Sequence, residues 1–114
     1  MSVCIFCKIV EKIIPASIVH ESDNCIGFKD LNPVAPNHLL FIPKKHIESV
    51  DKMTAEDSQV IGKIIFEMAE YAKANHFSNG GYRIVNNTGA DAGQTVFHIH
   101  FHLLAGRKME WPPG

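Results

Sequence analysis

Apolar residues between Cys4 and Pro15 recur at helical spacing, with Ile5, Ile9 and Ile13 along one side and Phe6 and Val10 beside them. The run predicts a short N-terminal helix over residues 4–12 that Pro15 stops. Residues 17–21, 25–29 and 39–42 are brief β-prone runs, divided by the Ser22-Asp23-Asn24 turn and by the proline-bearing stretch from Asn32 to Asn37. They read as strands of a meander. A longer helix is predicted from Thr54, whose hydroxyl can cap free N–H groups, with Glu56 and Asp57 in the first turn where the helix dipole favours anions. Its apolar stripe, Val60, Ile61, Ile64, Ile65, Met68, Ala69 and Ala72, steps by three and four. Such a helix should lie on a sheet and end near Asn79-Gly80-Gly81. Residues 82–86 and 98–104 complete the strands, separated by a glycine-containing loop at 88–93. The expected architecture is a single α+β domain over residues 1–114, an antiparallel sheet of about five strands with one long and one short helix. Trp111-Pro112-Pro113-Gly114 continues neither helix nor central strand, since proline lacks the backbone donor.

Composition narrows the reading by exclusion. With 114 residues, 46% apolar and 20% charged, the chain has the size and balance of a globular domain that buries a core without disulfides. A net charge of -1 supplies no broad field for nucleic acid or an anionic membrane, so any nucleotide must be recognised locally. No stretch approaches the roughly 20 apolar residues of a membrane span, and the run from Met1 to Cys7 has neither a basic start nor a long apolar stretch. A cytoplasmic location is expected. Cys4, Cys7 and Cys25 are an odd number in a chain large enough to fold unstapled, which argues against a disulfide framework. The Cys4-x-x-Cys7 spacing then reads as metal binding or chance.

The candidate chemistry lies in His98-Ile99-His100-Phe101-His102. On a strand the three histidines share one face while Ile99, Phe101 and Leu103 point to the other and pack under the main helix. A lone histidine is more often a hydrogen-bonded core residue, but three on one face would each need a buried partner. Same-face neighbours on a strand stand roughly 6.6 Å apart, against zinc–nitrogen bonds of about 2.0–2.1 Å, so one metal cannot take all three. A division of labour is expected, with His100 as nucleophile or base and its neighbours orienting it or serving another site. His20 and His76 have no such context and read as surface residues. Lys44 and Lys45 read as a solvated face, and Arg107 as a source of local positive potential.

The segment from Asn86 to Arg107, with His98-Ile99-His100-Phe101-His102-Leu103-Leu104 at its centre, resembles the histidine-triad (HIT) signature. Phe28-Lys29-Asp30, Ala35-Pro36-Asn37-His38, Ile42-Pro43-Lys44-Lys45-His46 and the terminal Trp111-Pro112-Pro113-Gly114 resemble its nucleotide-binding (Hint) branch, so the likeness runs along essentially the whole chain. The resemblance implies a HIT-like fold and a purine nucleoside phosphoramidase. His100 would attack the α-phosphorus of an adenosine 5'-monophosphoramidate, with His38, His98 and His102 as companions, and water would hydrolyse the nucleotidyl-histidine. Asn86, Gly93, Gln94 and Thr95 match positions that line the phosphate, Asp30 matches the ribose position, and Ile5, Phe6, Ile9, Phe28 and Leu31 match the base pocket. His100 and His102 count among the nucleotide-binding positions as well. Ala92 and Thr95 stand where relatives have glycine and serine, which could narrow the loop and alter the leaving-group preference.

By the same resemblance Cys4, Cys7, His46 and His98 would form a structural zinc site, a ligand set that suits this metal, while catalysis would need no cofactor. The tail with Trp111 would reach across a two-fold homodimer, and the partners would be purine nucleoside monophosphates and their phosphoramidates. Competing readings are a nucleotide-binding regulatory module with little turnover, a metal-dependent hydrolase, and the sister branch that cleaves dinucleoside polyphosphates. The terminal Trp-Pro-Pro-Gly favours the phosphoramidase branch over that last one.

Overall fold

The computed structural model describes residues 3–114, so residues 1 and 2 of the expected domain lie outside the described residues. It is an α+β fold with five strands in one antiparallel sheet. In chain order the elements are α1 (Ile5–Val10), β1 (Ile18–Glu21), β2 (Cys25–Lys29), β3 (Asn37–Pro43), α2 (Asp57–Ala74), β4 (Tyr82–Val85) and β5 (Phe101–Ala105). The sheet order β1-β2-β3-β5-β4 puts β3 at the centre, covered on both faces, and all but one of its residues are buried.

Strand alternation divides the core into two layers. Leu39 and Phe41 of β3 and Phe101 and Leu103 of β5 join Ile64 and Met68 of α2 on one face. Leu40 and Ile42 join Ile26, Phe28, Phe6 and Ile9 on the other, beneath α1. His38 and His102 alternate into this second layer, so the catalytic candidates and α1 share a face. The expectation that Ile99, Phe101 and Leu103 pack under the main helix holds, since all three sit in the first layer with Ile64 and Met68.

Helix α2 departs from its predicted ends. Thr54 does not cap with its hydroxyl; its backbone N–H donates to Asp57 Oδ2 at 2.9 Å, and Lys45 Nζ donates to Asp57 Oδ1 at 2.6 Å. The carboxylate is therefore the organising group, and the hydrogen bond from Lys45, followed by the Thr54 N–H, holds its pKa below the usual carboxylate range. The helix stops at Ala74, with His76 in the left-handed region at φ 64 and a short 3-10 turn before Gly80. Ile64, Met68 and Ala72 are buried, whereas Ile65 lies at the exposed edge of the stripe. The other lysine of the pair, Lys44, forms an ion pair with Glu21 at 2.9 Å, so neither is a merely solvated cation.

Candidate active site

The histidine run enters the sheet late. Regular pairing of β5 begins at Phe101, while His98 lies in a bend and the Ile99 N–H donates to Ile47 O at 2.6 Å. Alternation of side chains persists through the irregular part, but His98 is drawn away from the other two histidines toward α1 and Pro43.

Hydrogen bonds to groups with only one possible role settle the ring protonation. A carbonyl can only accept, so the 2.9 Å contact between His100 Nδ1 and His98 O places a proton on Nδ1, and in the neutral ring the lone pair is on Nε2. The Val34 N–H donates to His38 Nδ1 at 3.1 Å, which leaves the His38 proton on Nε2, from where it is donated to His102 Nδ1 at 2.8 Å. Neutral His102 then carries its own proton on Nε2. Asp30 Oδ2 stands 3.3 Å from the same His38 nitrogen, and Asp30 Oδ1 accepts from the Asn32 N–H at 2.7 Å. The result is a buried nucleophile candidate beside a ring N–H donor, with His100 and His102 ring centroids 5.2 Å apart.

These two rings border a pocket of about 350 Å³. Of the residues predicted for nucleotide binding, Ile5, Phe6, Ile9, Phe28, Asp30, Leu31, Thr95, His100 and His102 line it. Phe6 meets Phe28 edge-on at 5.6 Å and His100 at 5.2 Å. Asn86, Gly93 and Gln94 are not among the pocket's lining residues, and Gly93 is exposed. Asn86 Nδ2 donates to His100 O, and the buried Gln94 side chain accepts from Gly89 N–H while donating to Glu48 O and Val96 O. Gly93 takes φ +98, a conformation that costs glycine little. Pattern reading did not single out Leu40 and Val96 as lining residues. Leu40 pairs with His102 across the sheet, a relation visible only once the strand register is known.

Cys4, Cys7, His46 and His98 converge on one point, with all ligand atoms within 4.8 Å of one another. Cys4 Sγ lies 3.4 Å and Cys7 Sγ 3.5 Å from His98 Nδ1, while His46 Nδ1 is 3.3 Å from Cys7 Sγ and 3.2 Å from His98 Nδ1. A tetrahedral zinc with bonds of about 2.0–2.3 Å sets its ligand atoms about 3.3–3.7 Å apart, so the separations fit. His98 Nε2–H donates to Pro43 O at 2.8 Å, leaving Nδ1 bare toward the thiols in the tautomer a metal requires. The residues present could hold such an ion.

A family model described as the HIT domain matches residues 11–109. The chain belongs to the HIT family. It is 47% identical over 110 residues to an uncharacterized HIT-like protein of Synechocystis sp., covering 96% of each chain. Among solved structures it resembles a HIT family hydrolase from Legionella pneumophila, at 47% identity and TM-score 0.95, covering 97% of this chain and 99% of that one. It also resembles a histidine triad nucleotide-binding protein from Candida albicans, at 30% identity and TM-score 0.82, covering 96% and 82%.

Elsewhere in this HIT protein, His20 is no plain surface residue. Its Nε2–H donates to Glu67 Oε1 at 2.6 Å, and its ring lies against Phe41 at 5.7 Å. Cys25 donates to the same carboxylate oxygen, and burial pushes the Cys25 thiol up to about 12. His76 is exposed, as predicted, and Trp111 is 82% exposed in the single chain. Arg107 is engaged structurally, its Nε donating to Val34 O at 2.9 Å. It thereby braces the loop whose amide fixes His38. Among the described residues no helix is long and apolar enough to cross a membrane.

Burial, reinforced by His100 and His38, pushes His102 down to about 4, and burial likewise lowers His38 against the pull of Asp30. Both rings are neutral near pH 7. In the unfolded chain His102 titrates near 6.5, so between pH 6.5 and 4 the unfolded state takes up a proton that the folded state refuses. Stability should fall as the pH is lowered through that window, by about 2–3 kcal/mol at pH 4.5 from His102 alone. Urea denaturation at pH 7.5 and 4.5 measures this, and His102→Gln should make the pH dependence shallower. An unchanged dependence in the variant would contradict the assignment.

Proposed function

We propose that this protein is a hydrolase of the Hint branch, a purine nucleoside phosphoramidase. The carrying observation is the His100 imidazole, with its lone pair on Nε2, at the wall of an apolar pocket that also presents Asp30 and a ring donor from His102. His100 Nε2 attacks the α-phosphorus of an adenosine 5'-monophosphoramidate, the P–N bond to the amine breaks as the bond to imidazole forms, and water later cleaves the nucleotidyl-histidine. Thr95 lines the pocket, and its hydroxyl would assist proton delivery to the departing amine. His102 Nε2–H supports the phosphate charge, and His38 holds His102 in that tautomer. The apolar wall from Ile5 to Ile9 and Phe28 suits a flat purine, and Asp30 suits the ribose hydroxyls. A HIT family hydrolase and a histidine triad nucleotide-binding protein among the relatives support this reading.

Cys4, Cys7, His46 and His98 would hold a structural zinc, and catalysis itself would run without a metal. In that arrangement His98 serves His100 through its carbonyl rather than its ring. The protein is expected to act as a homodimer.

The test is turnover of a fluorogenic adenosine phosphoramidate beside a diadenosine polyphosphate, with and without chelator, and with intact-mass detection of the adenylylated enzyme. Faster cleavage of the phosphoramidate through a covalent intermediate is expected. Preference for the polyphosphate would move the protein to the sister branch, and AMP binding without turnover would make it a regulatory module.

A further inference from the structure

Helix α1 faces two sites at once. Its N-cap Cys4 and its third residue Cys7 bring thiols to His98 and His46, while Ile5, Phe6 and Ile9 form one wall of the pocket. The helix has six residues, and only Phe6 and Ile9 are buried. Isolated helices shorter than about 12 residues are marginal in water, so this one depends on what anchors it. His100 depends on other ties. Phe6 touches its ring edge-on, but the ring is held by the His98 carbonyl and its own carbonyl by Asn86 Nδ2. His98, a ligand only through Nδ1, is fixed apart from the metal by its Nε2–H bond to Pro43 O and by the Ile99 N–H bond to Ile47 O.

We propose that Cys4 and Cys7 are positioning residues for the nucleotide: by tying α1 to His46 and His98 through a bound zinc, they hold the Ile5-Phe6-Ile9 wall against His100. Nucleotide affinity then follows metal occupancy, while the nucleophile keeps its geometry without the metal. This rests on the reading above that the pocket takes a nucleoside monophosphate. The predicted signature is a split between KM and kcat, because the wall is shared by ground state and transition state whereas the attacking nitrogen is held elsewhere.

The experiment uses the full chain in zinc-loaded and chelator-stripped form, with Cys4→Ser/Cys7→Ser and with Cys7→His as a variant that keeps a ligand. Zinc content, AMP affinity by calorimetry, steady-state kinetics and backbone hydrogen exchange are measured. The loaded wild type should carry zinc. Stripping or the double serine change should weaken AMP binding and raise KM by at least about tenfold with kcat within about threefold. Exchange should quicken at residues 5–10 while β3 and β5 stay protected, which separates loss of the clamp from loss of the fold. Cys7→His should recover both zinc and AMP affinity. Equal AMP affinity with and without metal, a wild type that takes no zinc, or a collapse of kcat in place of KM would each overturn the coupling alone. A loaded protein that binds no AMP would overturn the nucleotide reading and the coupling with it.

Discussion

His100→Ala is expected to lower kcat/KM for an adenosine phosphoramidate on the order of 10⁴-fold or more. The size follows from the protonation pattern. His100 Nδ1–H is committed to the His98 carbonyl, so in the neutral ring Nε2 is the bare nitrogen of a residue that lines the pocket, and it needs no base to attack. No neighbour can take over, because His102 accepts from His38 at Nδ1 and carries its proton on Nε2. AMP binding should survive, since the wall from α1, Phe28 and Asp30 is untouched. Steady-state kinetics with calorimetry on the same preparation reads both quantities. Residual activity within about tenfold of wild type would mean that water attacks directly and that the histidine is not the nucleophile.

Phe41→Ala should be the most damaging change in the core, at about 3–5 kcal/mol in a domain whose total stability is about 5–15 kcal/mol. Phe41 is fully buried at the centre of β3, and its ring lies over Gly27 of β2, where an added Cβ would come within 2.9 Å of two ring carbons. Tyr71 of α2 meets the ring edge-on at 5.8 Å, and His20 lies tilted over it at 5.7 Å. Truncation would empty the space between sheet and helix and take away the surface on which the His20–Glu67 pair rests. Thermal unfolding should show a midpoint lower by at least about 12 °C. Gly27→Ala should be milder, about 1–3 kcal/mol, and combining it with Phe41→Leu should cost less than the sum of the two. Additive effects would show that the ring and the glycine do not share one space.

Much of the frame was legible in the chain itself. The 3.6-residue stripe of α2 reports which face that helix buries, because burial of apolar area is the main force acting on it. In the N-terminal stripe, by contrast, only Phe6 and Ile9 are buried while Ile5 and Ile13 are exposed, and β2 and β3 read simply as short β-prone runs. The alternation from His98 to Leu103 separated the site from the core for the same reason, and it survives where regular strand pairing does not. Element ends were less legible. The extension of β3 back to Asn37 depends on its pairing with Ala105 of β5, and α2 begins where Asp57 meets Lys45. These are contacts between distant residues, and local propensity carries no record of them.

The site divides along the same line. Residue types and spacing marked His100 as the chemical candidate, and likeness to a family supplied its companions. Only the folded chain joins His38 to His102 across 64 positions, turns the Nδ1 of His98 toward Cys4 and Cys7, and brings Asn86 to the His100 carbonyl and Gln94 to the Glu48 carbonyl. Tautomers, ligand sets and pocket walls are properties of distances between side chains. Those distances are decided by sheet register and by the packing of α1 and α2 on its two faces, which hydrophobic periodicity orients but does not align.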